Sequence, residues 1–243
     1  MLRNLFGGLF GKKSPAEPLQ TTSGPAPSSP PPPQSMEIDS PASFGYKCNW
    51  IAVQTTSTDE LAAIFHLREA TPCNWNYGTA AAYKDKVFIS PPVDGWTFII
   101  GCSLPYAEDG HSVFRLKKIL NVLSNKFGNA QYFGSLRTAS YDSWMRSENG
   151  RIVRAYAVAD GTNAIVEGEP TPAEKKYTLF NSFSQEFRED PDYIDRADIH
   201  YPDESTTMEI AGAWSINPQH LEGRTGQAPV LGLLGFFNPN KWD

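Results

Sequence analysis

The sequence predicts an α+β domain, an antiparallel β-meander packed against helices, carried behind a disordered Pro-rich N-terminal tail. Three observations predict it. The texture of the chain breaks near Phe44, where Ser14 to Ser43, with nine prolines and no aromatic residue, gives way to globular sequence. Four β-rich runs then follow one another between Ala130 and Glu167, separated by turn residues. Two stretches, about Asp59 to Glu69 and Ser112 to Phe127, carry apolar residues at helical spacing.

The tail divides in two. In residues 1–13, Leu2, Leu5, Phe6, Leu9 and Phe10 fall on one face of a short helix flanked by Arg3, Lys12 and Lys13, a pattern that suits an anionic membrane surface. Gly7, Gly8 and Gly11 weaken that helix in water, so it forms only on a surface; a disordered tail is the alternative reading. Residues 14–45 cannot bury enough apolar surface to offset their ordering entropy and read as a flexible, partly polyproline-II tether. Residues 46–243 are then a single domain, large enough for a stable core.

Within that domain Asn49 to Gln54 is the first strand. Ser57 and Glu60 form a capping-box pair opening a helix over Asp59 to Glu69, with Leu61, Ile64 and Phe65 on one stripe. Thr71 to Tyr83, rich in Pro, Asn, Trp and Tyr, lacks periodicity and reads as a loop with a helical turn at Thr79 to Tyr83. Lys86 to Ser90 and Trp96 to Gly101 form a hairpin, the second run being apolar enough for a central strand. The helix Ser112 to Phe127 ends at Gly128, a residue suited to a C-terminal cap. Ala130 to Leu136, Tyr141 to Ser147, Arg151 to Ala159 and Ala164 to Glu167 make the meander, turned at Glu148-Asn149-Gly150 and Asp160-Gly161. Thr171-Pro172-Ala173-Glu174 carries both a capping box and proline at the first helical position, and predicts a helix start. Ser205 to Trp214 is a further helix, and Val230 to Phe237 adds apolar cover to the core.

Charges cancel in the first 45 residues, so the net charge of −6 lies on the domain. That balance argues against generic nucleic-acid binding, which needs clustered Lys and Arg to release counterions, and suits a basic protein partner. Cys48, Cys73 and Cys102 are odd in number and widely spaced, which predicts reduced, buried thiols in a cytoplasmic protein with no zinc site. No apolar run reaches membrane-spanning length. The four histidines occupy different elements, the serines lack a nucleophile elbow, and no phosphate-binding glycine loop follows a strand. No catalytic residue, cofactor or metal ion is implied.

The densest charge feature is Glu189, Asp190, Asp192, Asp195, Asp198, Asp203 and Glu204, interleaved with Tyr193, Ile194 and Tyr201. A solvated acidic loop explains it, and a calcium loop would need the EF-hand glycine and glutamate spacing it lacks. A third reading is a partner-binding surface in which carboxylates steer a basic protein and tyrosines anchor it, with Asp190, Asp192, Tyr193, Asp195 and Asp198 as its residues. Trp75 and Tyr77, in an amide-rich segment, are a second recognition candidate, with packing beneath a loop as the alternative.

The segments Gly95 to Gly101, Leu120 to Gly128, Gln131-Tyr132-Phe133, Arg151 to Tyr156, Thr171 to Glu174 and Ala213-Trp214-Ser215-Ile216-Asn217-Pro218 resemble a group of bacterial proteins that are similar to the immunity proteins accompanying secreted antibacterial toxins of contact-dependent or type VI systems. The resemblance spans about Cys48 to Leu234 and its motifs are structural. It implies a cytoplasmic antitoxin-like protein that binds one cognate toxin; separately, the apolar face of residues 1–13, which lies outside the resemblance, predicts peripheral contact at the inner membrane face. Two alternatives stand beside it. One is an enzyme whose site assembles Arg137, Tyr141, Arg154, Glu167, Glu169 and His111; the other is a membrane-tethered adaptor.

Overall fold

The computed structural model describes residues 36–224 and 230–243. The amphipathic peptide with Leu2, Leu5, Phe6, Leu9 and Phe10, and the tether up to residue 35, lie outside the described residues. The elements in chain order are β1 (Cys48–Val53), α1 (Thr58–Phe65), β2 (Arg68–Cys73), α2 (Trp75–Ala82), β3 (Val87–Ile89), β4 (Thr97–Ile100), α3 (Gly110–Phe127), β5 (Asn129–Leu136), β6 (Tyr141–Glu148), β7 (Arg151–Ala159) and β8 (Thr162–Glu167). Then come β9 (Thr178–Leu179), α4 (Gln185–Glu189), β10 (Ile199–His200), α5 (Glu204–Trp214) and β11 (Gly232–Phe236). Nine strands form one antiparallel sheet in the order β2-β11-β3-β4-β1-β5-β6-β7-β8, and β9 with β10 makes a small parallel pair.

The sheet is covered on both faces, which explains why its middle strands are apolar on both faces. One face receives α1 and α3 through Leu61, Phe65, Leu116, Ile119, Leu120 and Leu123, closed by Phe237 and Trp242. The other receives α2, α5 and residues 180–199 through Trp75, Phe180, Tyr193, Ile210 and Trp214. The meander β5 to β8 is as its turn residues predict: Asn149 and Gly150, then Asp160 and Gly161, all take positive φ, the backbone a two-residue hairpin requires. The α3 helix begins two residues before its expected start, because Asp109 Oδ1 accepts the Ser112 N–H at 2.8 Å and caps it.

Several expectations are corrected. The tether ends earlier than residue 45. Asp39 accepts hydrogen bonds from the backbone N–H groups of Trp75 and Asn76 at 2.7 and 2.9 Å, and Phe44 is buried edge-on against Trp50 and Phe98. Residues from Met36 onward therefore belong to the folded body. The α1 helix stops at Phe65 because His66 enters the left-handed region, and Ser57 makes no side-chain cap there. What reads as a loop is instead the edge strand β2, whose Pro72 is tolerable because the strand has a neighbour on one side only, followed by the full helix α2.

The C-terminal apolar run is not a cover but a strand, β11, inserted between β2 and β3. Gly232 makes that insertion fit, since a Cβ there would lie 2.5 Å from the Ile89 carbonyl oxygen. Thr171 to Glu174 forms the cap but no helix. Glu174 Oε2 accepts from the Thr171 N–H and hydroxyl at 2.8 and 2.7 Å, while Oε1 accepts from Trp144 Nε1 and Arg154 Nε at 2.9 and 2.7 Å. The carboxylate is pinned in the core, and the chain turns around it.

Candidate functional site

The acidic segment is built on a buried aromatic core. Phe180, Phe187 and Tyr193 meet with ring centroids 5.4 to 6.0 Å apart. Phe180 is tied to the sheet, its carbonyl accepting the Tyr156 hydroxyl at 2.8 Å, and Asn163 Oδ1 accepts the Ser182 N–H at 2.7 Å. Tyr201 stacks on Phe180 at 4.8 Å and donates to the Ile194 carbonyl at 3.3 Å. This scaffold holds Ile194 57% and Tyr201 42% exposed, beside Asp192 and Asp195 at the surface.

The carboxylates named from sequence divide by partner. Arg196 ties Asp198 at 2.6 Å and Asp190 at 3.3 Å, and also bonds Glu186, so one guanidinium offsets part of the charge of three carboxylates and holds Asp190 and Asp198 in place. Asp192 and Asp195 make no ion pair among the described residues and are exposed, so they add two unpaired charges to the net negative charge of that cluster. Tyr193 is corrected as an anchor: it is 3% exposed, with its hydroxyl accepting the Asn181 N–H at 3.1 Å, so it supports the segment from beneath. Trp75 is likewise corrected, packed on Phe88 at 5.6 Å and 2% exposed. Tyr77 is exposed, but it rides on α2 over β3 and β11, whereas the acidic segment is fixed to β7 and β8. Five strand spacings, about 24 Å, separate β3 from β7. The two candidate surfaces are therefore not brought together.

Beside the acidic segment lies a cavity of about 300 Å³ lined by Arg137, Ser140, Asp142, Val158, Gly161, Tyr201, Pro202, Asp203 and Glu204. Asp142 is its buried wall, 3% exposed, on the strand face that also carries Trp144. Burial pushes its carboxyl up to about 7; the Thr207 hydroxyl, donating to Oδ1 at 2.8 Å, pulls the other way, and the nearby Asp203 and Glu204 add to the rise. Asp203 caps α5 at the mouth. Burial pushes its carboxyl up, but hydrogen bonds from the Thr206 N–H and hydroxyl at 2.8 and 2.9 Å outweigh that and hold it below the ordinary value. Glu204 Oε1 is buried without a hydrogen-bond donor among the described residues. Burial also lowers His200, which stacks on Tyr177 at 4.1 Å and bonds the Thr206 hydroxyl.

Three carboxyl groups facing one cavity, one of them lacking a donor, favour a cationic group there. Sequence reasoning missed Asp142 and the cavity. The available signal was parity: Asp142 lies two residues before Trp144 and so shares its buried face. The residues considered for an enzymatic site do not converge. Arg154 is buried on Glu174, Glu167 pairs with Lys117, His111 lies against Arg115 and Asp243, and the Tyr141 hydroxyl is held by Tyr132 and the Ala107 N–H. Of that set Arg137 alone lines the cavity. Among the described residues no group of three or more His, Cys, Asp or Glu side chains is arranged to hold a metal ion, and no helix is long and apolar enough to cross a membrane. Comparison with protein-family models, with curated proteins and with solved structures finds no match.

Proposed function

We propose that this protein is an antitoxin-like binding protein that captures a basic protein partner with the acidic segment and the cavity beside it. The observation that carries this reading is their continuity: Tyr201 supports the exposed Ile194 and also lines the cavity with Asp142, Asp203 and Glu204. Asp192 and Asp195 steer the partner, Ile194 and Tyr201 supply apolar contact, and the cavity receives one Lys or Arg side chain. The resemblance to immunity proteins supports a toxin as the partner. In a test, the full-length protein is immobilised, the host polypeptides it retains are identified, and their association rates are measured against Asp192→Lys/Asp195→Lys. The retained partner is basic, and the double reversal slows association about tenfold at low salt and little at high salt. Retention of the same partner at the same rate by the reversed protein overturns the proposal.

One observation favours a second reading. A carboxyl titrating near 7 inside a cavity has the character of a general acid or base, which would make the site catalytic through Asp142. Small cationic metabolites that stabilise the wild type against heat and are turned over, with turnover lost in Asp142→Asn, would favour it over protein capture.

A further inference from the structure

The register of the central sheet brings two cysteines face to face. Strand β1 pairs antiparallel with β4, with Trp50 opposite Ile100, and the Gly101 N–H donates to the Asn49 carbonyl at 3.0 Å. Continued two positions past the end of β4, that register carries Cys102 alongside Cys48, and the two thiols interact directly. Residues directly opposite in an antiparallel ladder have Cα atoms about 4.5–5.5 Å apart, inside the span a disulfide bridges. Both side chains lie on the same face, packed into the layer with Trp50 and Ile100. The two thiols differ in surroundings. Cys48 is buried, whereas Cys102 is partly exposed at the start of the loop leading to α3, with Sγ donating to the Lys47 carbonyl at 3.4 Å.

We propose that Cys48 and Cys102 are a peroxide-oxidisable thiol pair that closes to a reversible cross-strand disulfide. The Cys102 thiolate attacks one oxygen of hydrogen peroxide. The O–O bond breaks, a sulfenic acid forms on Cys102, and the departing hydroxide takes up the proton that Cys102 released on ionising, leaving as water. Cys48 Sγ then attacks Cys102 Sγ, forming the S–S bond and breaking S–O, and the departing hydroxide takes the Cys48 proton as water. Two thiols are oxidised by two electrons and one peroxide is reduced to two waters. Cys102 is suited to the first step: the interaction with the neighbouring Cys48 thiol lowers it, while the same interaction together with burial raises Cys48, whose own proton is directed to the Asn49 carbonyl at 3.3 Å. Cys73 provides an internal contrast. Burial pushes it up to about 12, which leaves it almost wholly protonated at neutral pH.

The bridge ties β1 to the loop between β4 and α3, whose Leu104 and Pro105 carbonyls already hold Asn49 and Tyr132. Closing that loop raises the thermal midpoint by about 5–15 °C. The test treats the full-length protein with graded hydrogen peroxide, alkylates residual thiols and digests it. The expected product has lost two mass units, links the Cys48 and Cys102 peptides, reverts with dithiothreitol and melts higher. Cys73→Ser, checked for folding by circular dichroism, still forms it; Cys102→Ser and Cys48→Ser, checked in the same way, do not. Accumulation of sulfenic or sulfinic acid on Cys102 without a link to Cys48, in both the wild type and folded Cys73→Ser, overturns the proposal. Links that run through Cys73 overturn it equally.

Discussion

Replacing Asp142 by Asn tests the electrostatics of the cavity directly. The carboxyl is raised from an ordinary value near 3.8 to about 7, with burial as the main cause. At 1.36 kcal/mol per pH unit, that rise corresponds to about 4 kcal/mol. Below about pH 4 the group is protonated in both folded and unfolded chains and makes no difference between them. Between pH 4 and 7 the unfolded chain loses the proton while the folded chain keeps it, so stability falls as pH rises, and above 7 the loss is complete. Asparagine cannot ionise, and its amide oxygen can still accept the Thr207 hydroxyl. Asp142→Asn is therefore about as stable as the wild type at pH 4 and more stable by up to about 4 kcal/mol at pH 8. Urea denaturation of both proteins at three or four pH values measures the difference, and taking the difference cancels every other titrating group. Two stability profiles running parallel from pH 4 to 8 would refute the assignment of Asp142 as a carboxyl kept neutral by burial.

Two further substitutions probe the fold. Glu174→Gln leaves Arg154, itself 2% exposed, without an anion, and costs about 3–5 kcal/mol in urea denaturation; Glu174→Gln combined with Arg154→Met recovers part of the loss. A single-substitution cost below about 1 kcal/mol would show that the pair is not held as described. Phe44→Ala removes a ring packed against Trp50 and Phe98 and costs about 3–5 kcal/mol, read as a lower thermal midpoint; an unchanged midpoint would return residues 36–45 to the tether.

Short-range chemistry made α3 and the meander legible, though not the cap expected at Ser57 or the helix α2. The α3 helix follows from its apolar stripe and terminal glycine, and the meander from Asn149-Gly150 and Asp160-Gly161, because those turns need positive φ and these residues tolerate it. The acidic segment was visible as composition, but its working parts were not. Tyr193 and Ile194 are neighbours in sequence, yet one is buried and the other exposed, since the chain packs one ring against Phe180 and Phe187 and turns the next side chain outward.

By itself the sequence determined the α+β class, the strands of the meander, the helices α1, α3 and α5, and the sign of the net charge. Periodicity, turn residues and composition act over a few residues and need no partner. Tertiary structure alone decided that Val230 to Phe237 becomes a strand between β2 and β3, that Glu174 is drawn onto Arg154 instead of starting a helix, and that Asp142 faces Asp203 and Glu204. Each of those outcomes joins residues far apart in the chain. Long-range pairing is selected by how well whole faces fit and by which buried polar groups find partners, and no local pattern encodes that choice.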